Sequence, residues 1–138
     1  MNPPFAVRDC PAELRDTVTL ALDKLHGLEG LSAVLESDPA VAAALERVLV
    51  CSEYATGVLT RCPELLAALV ASGRLHRASA TGEYLAELHD AAPAELGEKA
   101  FMRALRLYRH RELLRIVIRD LAGWSDTVAT LTDLSQLA

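Results

Sequence analysis

The chain has 138 residues, a net charge of −5 and 51% hydrophobic residues, much of it alanine and leucine in short runs. That length suits one domain with its own core, and no stretch reaches the roughly 18 apolar residues that a membrane-spanning helix needs. Met1 to Pro11 does not read as a signal peptide, and Cys10, Cys51 and Cys62 form no C-x-x-C pair, so the expectation is a soluble cytoplasmic protein with reduced, semi-buried thiols.

In chain order, Asn2 to Pro11 is an irregular lead containing three prolines. Ala12 to His26 follows as a first helix, with Leu14, Val18, Ala21, Leu22 and Leu25 at helical spacing and Gly27 as its stop. Gly27 to Ser37 is ambiguous, with room for a short helix around Leu31 to Leu35. Asp38 followed by Pro39 opens a helix to about Val50, since a capping carboxylate and a proline at the first helical position both favour a start there. Ser52 caps a helix over Glu53 to Arg61, Pro63 restarts the chain, and Glu64 to Ser72 ends at Gly73. Thr81 caps a helix to about Ala91. After Pro93 a helix from about Glu95 runs into a long rod, Gly123 breaks it, and Ser125 caps a last helix over Asp126 to Leu137. Nothing alternates as a strand would, so the fold class is all-α, a single domain of seven or eight helices with one long helix near the C-terminus.

The rod, Phe101 to Leu121, organises the rest. It has no Pro or Gly, and at about 1.5 Å per residue it spans roughly 31 Å. Its two halves bury different sides. Phe101, Ala104, Leu105 and Tyr108 share one face, opposite Arg103, Arg106 and His110; after Arg109, Leu113, Leu114, Val117, Ile118 and Leu121 take over the second side, while Arg111, Arg115 and Arg119 take the first. A helix amphipathic in two directions needs two bodies to pack on. The sequence reading places the second outside this chain, which would leave Leu113, Val117 and Leu121 exposed and prone to self-association. Residues 101–121 carry six arginines against Glu112 and Asp120, a net +4 that leaves −9 on the other 117 residues, so acidic helices are expected to pack around the rod. A nucleic-acid surface needs its arginines on one face, and here they divide between two.

Chemistry-bearing motifs are scarce. The seven glycines are scattered, no H-E-x-x-H, G-x-S-x-G or D-x-D occurs, and His26, His76, His89 and His110 stand apart from one another and from the cysteines. No catalytic, cofactor-binding or metal-binding residue is assigned. The bland reading of the arginine stripe is a solvated face, with Glu112 pairing to Arg115 one turn on; the alternatives are contact with a neighbouring domain or binding of a phosphate or protein partner. Trp124 reads as a core or hinge residue.

Two stretches carry a resemblance. Val48 to Leu75, through Ser52, Tyr54, Arg61, Pro63, Glu64, Leu65, Leu66 and Gly73, resembles the N-terminal helical region of bacterial glutamine synthetase adenylyltransferases. Leu105 to Gly123 and Leu131 to Ala138 resemble the signature ahead of that family's first catalytic domain, at Leu105, Arg106, Tyr108, Arg109, Arg111, Glu112, Leu114, Arg115, Ile116, Arg119, Asp120, Leu121, Leu134, Ser135, Leu137 and Ala138. On this reading residues 1–36 are an N-terminal lead and first helix, and 37–138 a helical domain preceding the adenylyl-removing nucleotidyltransferase domain.

The resemblance implies a bifunctional bacterial enzyme of nitrogen metabolism. It would attach AMP from ATP to a tyrosine of glutamine synthetase and remove it by phosphorolysis, under control of PII signalling protein and glutamine. Magnesium and ATP are implied for the full-length family member and none for this chain. Its implied partners are the remaining catalytic domains and glutamine synthetase, with PII a further candidate; neither nucleic acid nor membrane is expected. Arg111, Arg115, Arg119 and Asp120 are the candidates for interdomain contact. Two other functions compete with this inert scaffold: a self-contained helical adaptor for another protein, and a nucleotidyl transferase complete in itself.

Overall fold

The computed structural model describes residues 10–27 and 30–138. They form eight α-helices: α1 (Ala12–His26), α2 (Leu31–Ser37), α3 (Pro39–Cys51), α4 (Glu53–Arg61), α5 (Glu64–Ala71), α6 (Glu83–Ala91), α7 (Glu98–Leu121) and α8 (Thr127–Leu137), with a 3-10 turn at Arg74–His76. No strand occurs among the described residues, and none of their helices is long and apolar enough to cross a membrane. The lead expected from Asn2 lies, up to residue 9, outside the described residues.

Helix boundaries follow local chemistry. Asp38 caps α3, its Oδ1 accepting from the Val41 amide at 3.2 Å with Pro39 next in line, and Ser52 Oγ accepts from the Ala55 amide at 3.1 Å to open α4. Such a cap stabilises a helix by about 1 kcal/mol. Elsewhere the start differs from the expected residue. Gly82, at φ 79°, precedes α6 in place of Thr81, because the left-handed conformation needed there is one that glycine adopts without a Cβ clash. Asp126 replaces Ser125 as the cap of α8, its Oδ1 accepting from the Ala129 amide at 2.8 Å. The long helix starts at Glu98, not Glu95, since Pro93 to Gly97 turns first, with the Leu96 amide donating to the Pro93 carbonyl at 3.1 Å.

α1 to α5 build one body around the C-terminal half of α7. Val18 and Leu25, Val41, Leu45 and Val48, Ala55 and Leu59, and Leu66 and Leu69 meet Leu114 and Ile118 in a single apolar cluster. Leu14 of α1, expected in the core, is 42% exposed. On another side of α7 lie α6, the 3-10 turn and α8. Both bodies that the two-sided helix requires are therefore present in the chain. Val117 and Leu121 pack against the core and Leu113 is half-buried, which corrects the expectation of an exposed apolar end. The thiols divide: Cys10 is buried, Cys62 partly buried and Cys51 exposed.

Leu114 is fully buried in the apolar cluster, so Leu114→Ala should lower the unfolding free energy by about 2–5 kcal/mol, whereas Leu20→Ala, on the exposed face of α1, should change it by less than about 0.5 kcal/mol. Urea denaturation followed by circular dichroism measures both; equal effects would contradict the core described here.

Candidate functional site

The arginine side of α7 faces the chain between α5 and α6. A helix end and a tight turn leave carbonyls without intrahelical donors, and a guanidinium offers five N–H groups in a fixed fork. Arg115, with no exposed surface, donates from Nε to the Arg74 carbonyl at 3.0 Å and from Nη2 to the Arg77 carbonyl at 2.8 Å. Its Nη1 donates to Tyr84 Oη of α6 at 3.1 Å and lies 3.5 Å from Asp133 Oδ2 of α8. One side chain thus ties the turn, α6 and α8 to α7. One helical turn on, Arg119 donates from Nη1 to the Leu75 carbonyl at 2.6 Å and from Nη2 to the Trp124 carbonyl at 3.2 Å, while its buried Nε has no hydrogen-bond partner.

Carboxylates complete the arrangement. Glu112, also fully buried, accepts at Oε1 from Arg111 Nε at 2.9 Å and from Arg74 Nη1 at 3.4 Å, and its Oε2 lies 3.2 Å from Arg74 Nη2 without hydrogen-bond alignment. Glu87 of α6 bridges Arg74 and Arg111, the latter at 3.0 Å. Arg74 donates further to Ser79 Oγ at 2.9 Å and sits over the Tyr84 ring. Glu83 pairs with Arg77 and accepts from the Ala80 amide at 2.8 Å. The hydrogen bond from Arg77 is the main cause that pulls the Glu83 carboxyl down to about 2, against the upward push of its burial. Burial raises Tyr108 to about 12, and its hydroxyl donates to the Tyr84 carbonyl at 2.9 Å.

The four residues singled out in the sequence separate here. Arg115 and Arg119 are buried within the chain, so the solvated stripe is corrected for both: the carbonyls of the turn hold them inward. Glu112 pairs with Arg74 and Arg111 rather than with Arg115. Arg111 keeps part of its side chain at the surface. Asp120 is exposed and accepts from Thr130 Oγ1 of α8 at 2.9 Å. Sequence reasoning missed Arg74, Glu83, Tyr84, Glu87 and Asp133; only the charge imbalance between the rod and the remaining chain pointed toward them.

Two histidines make contacts of their own. His76 Nε2 lies 2.5 Å from Asp38 Oδ2, with its ring 4.9 Å from that of Trp124, and His110 Nδ1 lies 2.9 Å from Tyr54 Oη. Trp124 packs against the core, in keeping with its expected role.

Chemically the network is a clamp. Each of Glu83, Glu87, Glu112 and Asp133 faces an arginine of the same chain, so their oxygens are already engaged within the fold and are not turned toward a substrate. Nor does this donor set suit magnesium, which would have to displace those arginines; among the described residues no group of three or more His, Cys, Asp or Glu could hold a metal ion.

A family model described as glutamate-ammonia ligase adenylyltransferase matches residues 42–138, from within α3 to the last residue of the chain. The chain belongs to the glutamate-ammonia ligase adenylyltransferase family. Among its relatives is a bifunctional glutamine synthetase adenylyltransferase/adenylyl-removing enzyme of Pseudomonas syringae pv. tomato, 34% identical over 124 residues that cover 90% of this chain and 12% of the relative. One of the same description from Thioalkalivibrio sulfidiphilus is 42% identical over 95 residues, 69% of this chain and 10% of the relative. A third, from Pseudomonas putida, is 34% identical over 134 residues, 94% of this chain and 14% of the relative. The chain thus spans between a tenth and a seventh of the length of these relatives. No solved structure gives a significant match. Within this chain, the Leu105 to Gly123 stretch supplies the clamp, through Tyr108, Arg111, Glu112, Arg115 and Arg119.

Removing Arg115 strands Asp133, the buried Arg74 carbonyl and the partly buried Arg77 carbonyl, so Arg115→Ala should destabilise the fold by about 3–5 kcal/mol, and Arg115→Lys should recover little because a single ammonium cannot serve the same fork of acceptors. Thermal melts followed by circular dichroism test the pair, and full recovery with lysine would rule out the fork as the reason. Glu83 gives a pH dependence. Its folded value of about 2 lies below its ordinary 4.5, so its stabilisation is complete above that ordinary value and fades as pH falls toward 2. The difference in Tm between the native chain and Glu83→Gln should be largest near neutral pH and close to zero at the acid end; a difference constant with pH would contradict the Arg77 pairing.

Proposed function

We propose that this chain is the helical scaffold segment of a bifunctional glutamine synthetase adenylyltransferase/adenylyl-removing enzyme acting in the bacterial cytoplasm. The whole polypeptide transfers AMP from ATP to a tyrosine of glutamine synthetase and removes it by phosphorolysis, with PII signalling protein and glutamine as its regulators. Magnesium and ATP bind on other parts of that polypeptide. The segment itself supplies a rigid body on which the catalytic domains are mounted, and Arg111 and Asp120, which keep surface on the clamp side of α7, are its candidates for contact with them.

The observation that carries this reading is the inward direction of the signature helix. Arg115, Arg119 and Glu112 are spent on the carbonyls, the tyrosine and the arginines of their own domain, as expected of a scaffold and not of a site that meets substrate. Membership of the family favours this reading over a free-standing adaptor.

A direct test replaces the matching stretch of the Pseudomonas syringae relative with this chain and assays the chimera on glutamine synthetase. The expected result is AMP transfer and phosphate-dependent AMP removal by the chimera, and neither by the 138-residue chain alone. A folded chimera with neither activity, beside an active parent, would overturn the proposal.

A further inference from the structure

α8 has one charged residue, Asp133, and it faces inward to Arg115. The outward side is uncharged: Val128, Leu131, Thr132, Leu134, Ser135 and Gln136 are all exposed, with Val128 at 74% and Leu131 at 59%. In a chain with 24% charged residues that is unusual, and the other exposed leucines differ. Leu14 and Leu20 of α1 stand near Glu13, Arg15, Asp16 and Asp23, and Leu85 of α6 near Glu83 and Glu87. Two hydroxyls of this face are already satisfied. Thr132 Oγ1 donates to the Val128 carbonyl and Ser135 Oγ to the Leu131 carbonyl, each at 2.8 Å, so both could be covered without stranding a donor. Between these side chains runs a shallow depression of about 400 Å³, lined by Val128, Leu131, Thr132, Ser135 and Gln136.

We infer that this face of α8 is the seat of another segment of the same family polypeptide, which docks on it through an apolar, uncharged surface; the inference rests on the reading proposed above. The size of the face selects the occupant. An 11-residue helix is about 16 Å long, and a strip about 10 Å wide along it offers under about 200 Å², well below the roughly 800 Å² per partner of a stable free association. Two copies, each of net charge −5, would also repel. A segment tethered in the same polypeptide escapes that limit, because its effective concentration is high without further contact area. The relatives have such segments, since the matching stretch makes up only 10–14% of their length, and α8 lies within the family match.

Hydroxyl-radical footprinting tests the inference on the 138-residue chain alone and on the same residues within the chimera described above. Oxidation at Val128 and Leu131 should be several-fold slower in the chimera, with Leu14 and Leu20 reacting alike in both and Leu114 protected in both as the check on folding. Equal oxidation of Val128 and Leu131 in the two samples would overturn it. Protection in the isolated chain that rises with concentration and is abolished by Val128→Lys would assign the face to a second copy, and would overturn it too. Should the chimera lose the protection of Leu114, the positions aligned with 128 and 131 in the unaltered Pseudomonas syringae relative give the same reading, exposure there counting against the inference. AMP transfer by the chimera is assayed separately, so the functional reading and the docking face can fail independently.

Discussion

Burying Arg115 is the constraint on which the rest of the structure depends. A guanidinium cannot shed its charge, and taking it out of water costs several kcal/mol unless its donors find fixed acceptors. Here the acceptors come from three places in the sequence: the turn at Arg74 to Arg77, Tyr84 of α6 and Asp133 of α8. The turn also sends Leu75 into the apolar core, but α6 and α8 have no large apolar face toward α7, since their buried residues reduce to Tyr84 and Asp133. Their position is fixed by hydrogen-bond geometry, where α1 to α5 are fixed by hydrophobic burial. The two modes meet on adjacent residues of one helix, Leu114 facing the core and Arg115 the clamp, about 100° apart.

A network held this way is unforgiving. Glu112 is completely buried and depends on both Arg74 and Arg111, so losing either cation leaves a carboxylate with half its compensation in a low-dielectric setting. Arg74 is itself the residue of the turn whose carbonyl accepts from Arg115, which couples the conformation of the turn to the ion pairs beside it. That coupling keeps the segment after α5 in one conformation although its own residues form no long helix.

Most of the helices were legible in the sequence because their ends rest on local chemistry. Asp38 with Pro39, Ser52 and Gly73 act within a few residues of themselves, and each sits where its spacing predicts. The reversal of the rod at Arg109 was also readable, as periodicity is a property of the helix alone. The fate of the arginines was not. A stripe at Arg111, Arg115 and Arg119 looks the same in sequence whether it meets water or carbonyls, and apart from Glu112 and the Trp124 carbonyl its acceptors lie 18 to 44 residues away, from Asp133 on one side to Leu75 on the other. The nearest sequence partner, Glu112, misled for the same reason: the local pair was available, but Arg74 and Arg111 surround it in the fold.

The same logic separates α8 from the clamp. Its inner side is specified by Asp133 and by Thr130, which donates to Asp120, and its outer side by hydroxyls turned back on their own helix. An isolated surface helix of this size normally carries charges outward, because they favour solvation and oppose association. A helix with its only charge inward and its Thr132 and Ser135 hydroxyls already satisfied has a low desolvation penalty on that outer side. Such a surface is easily covered, and the segment that covers it can be small, provided it is tethered in the same polypeptide.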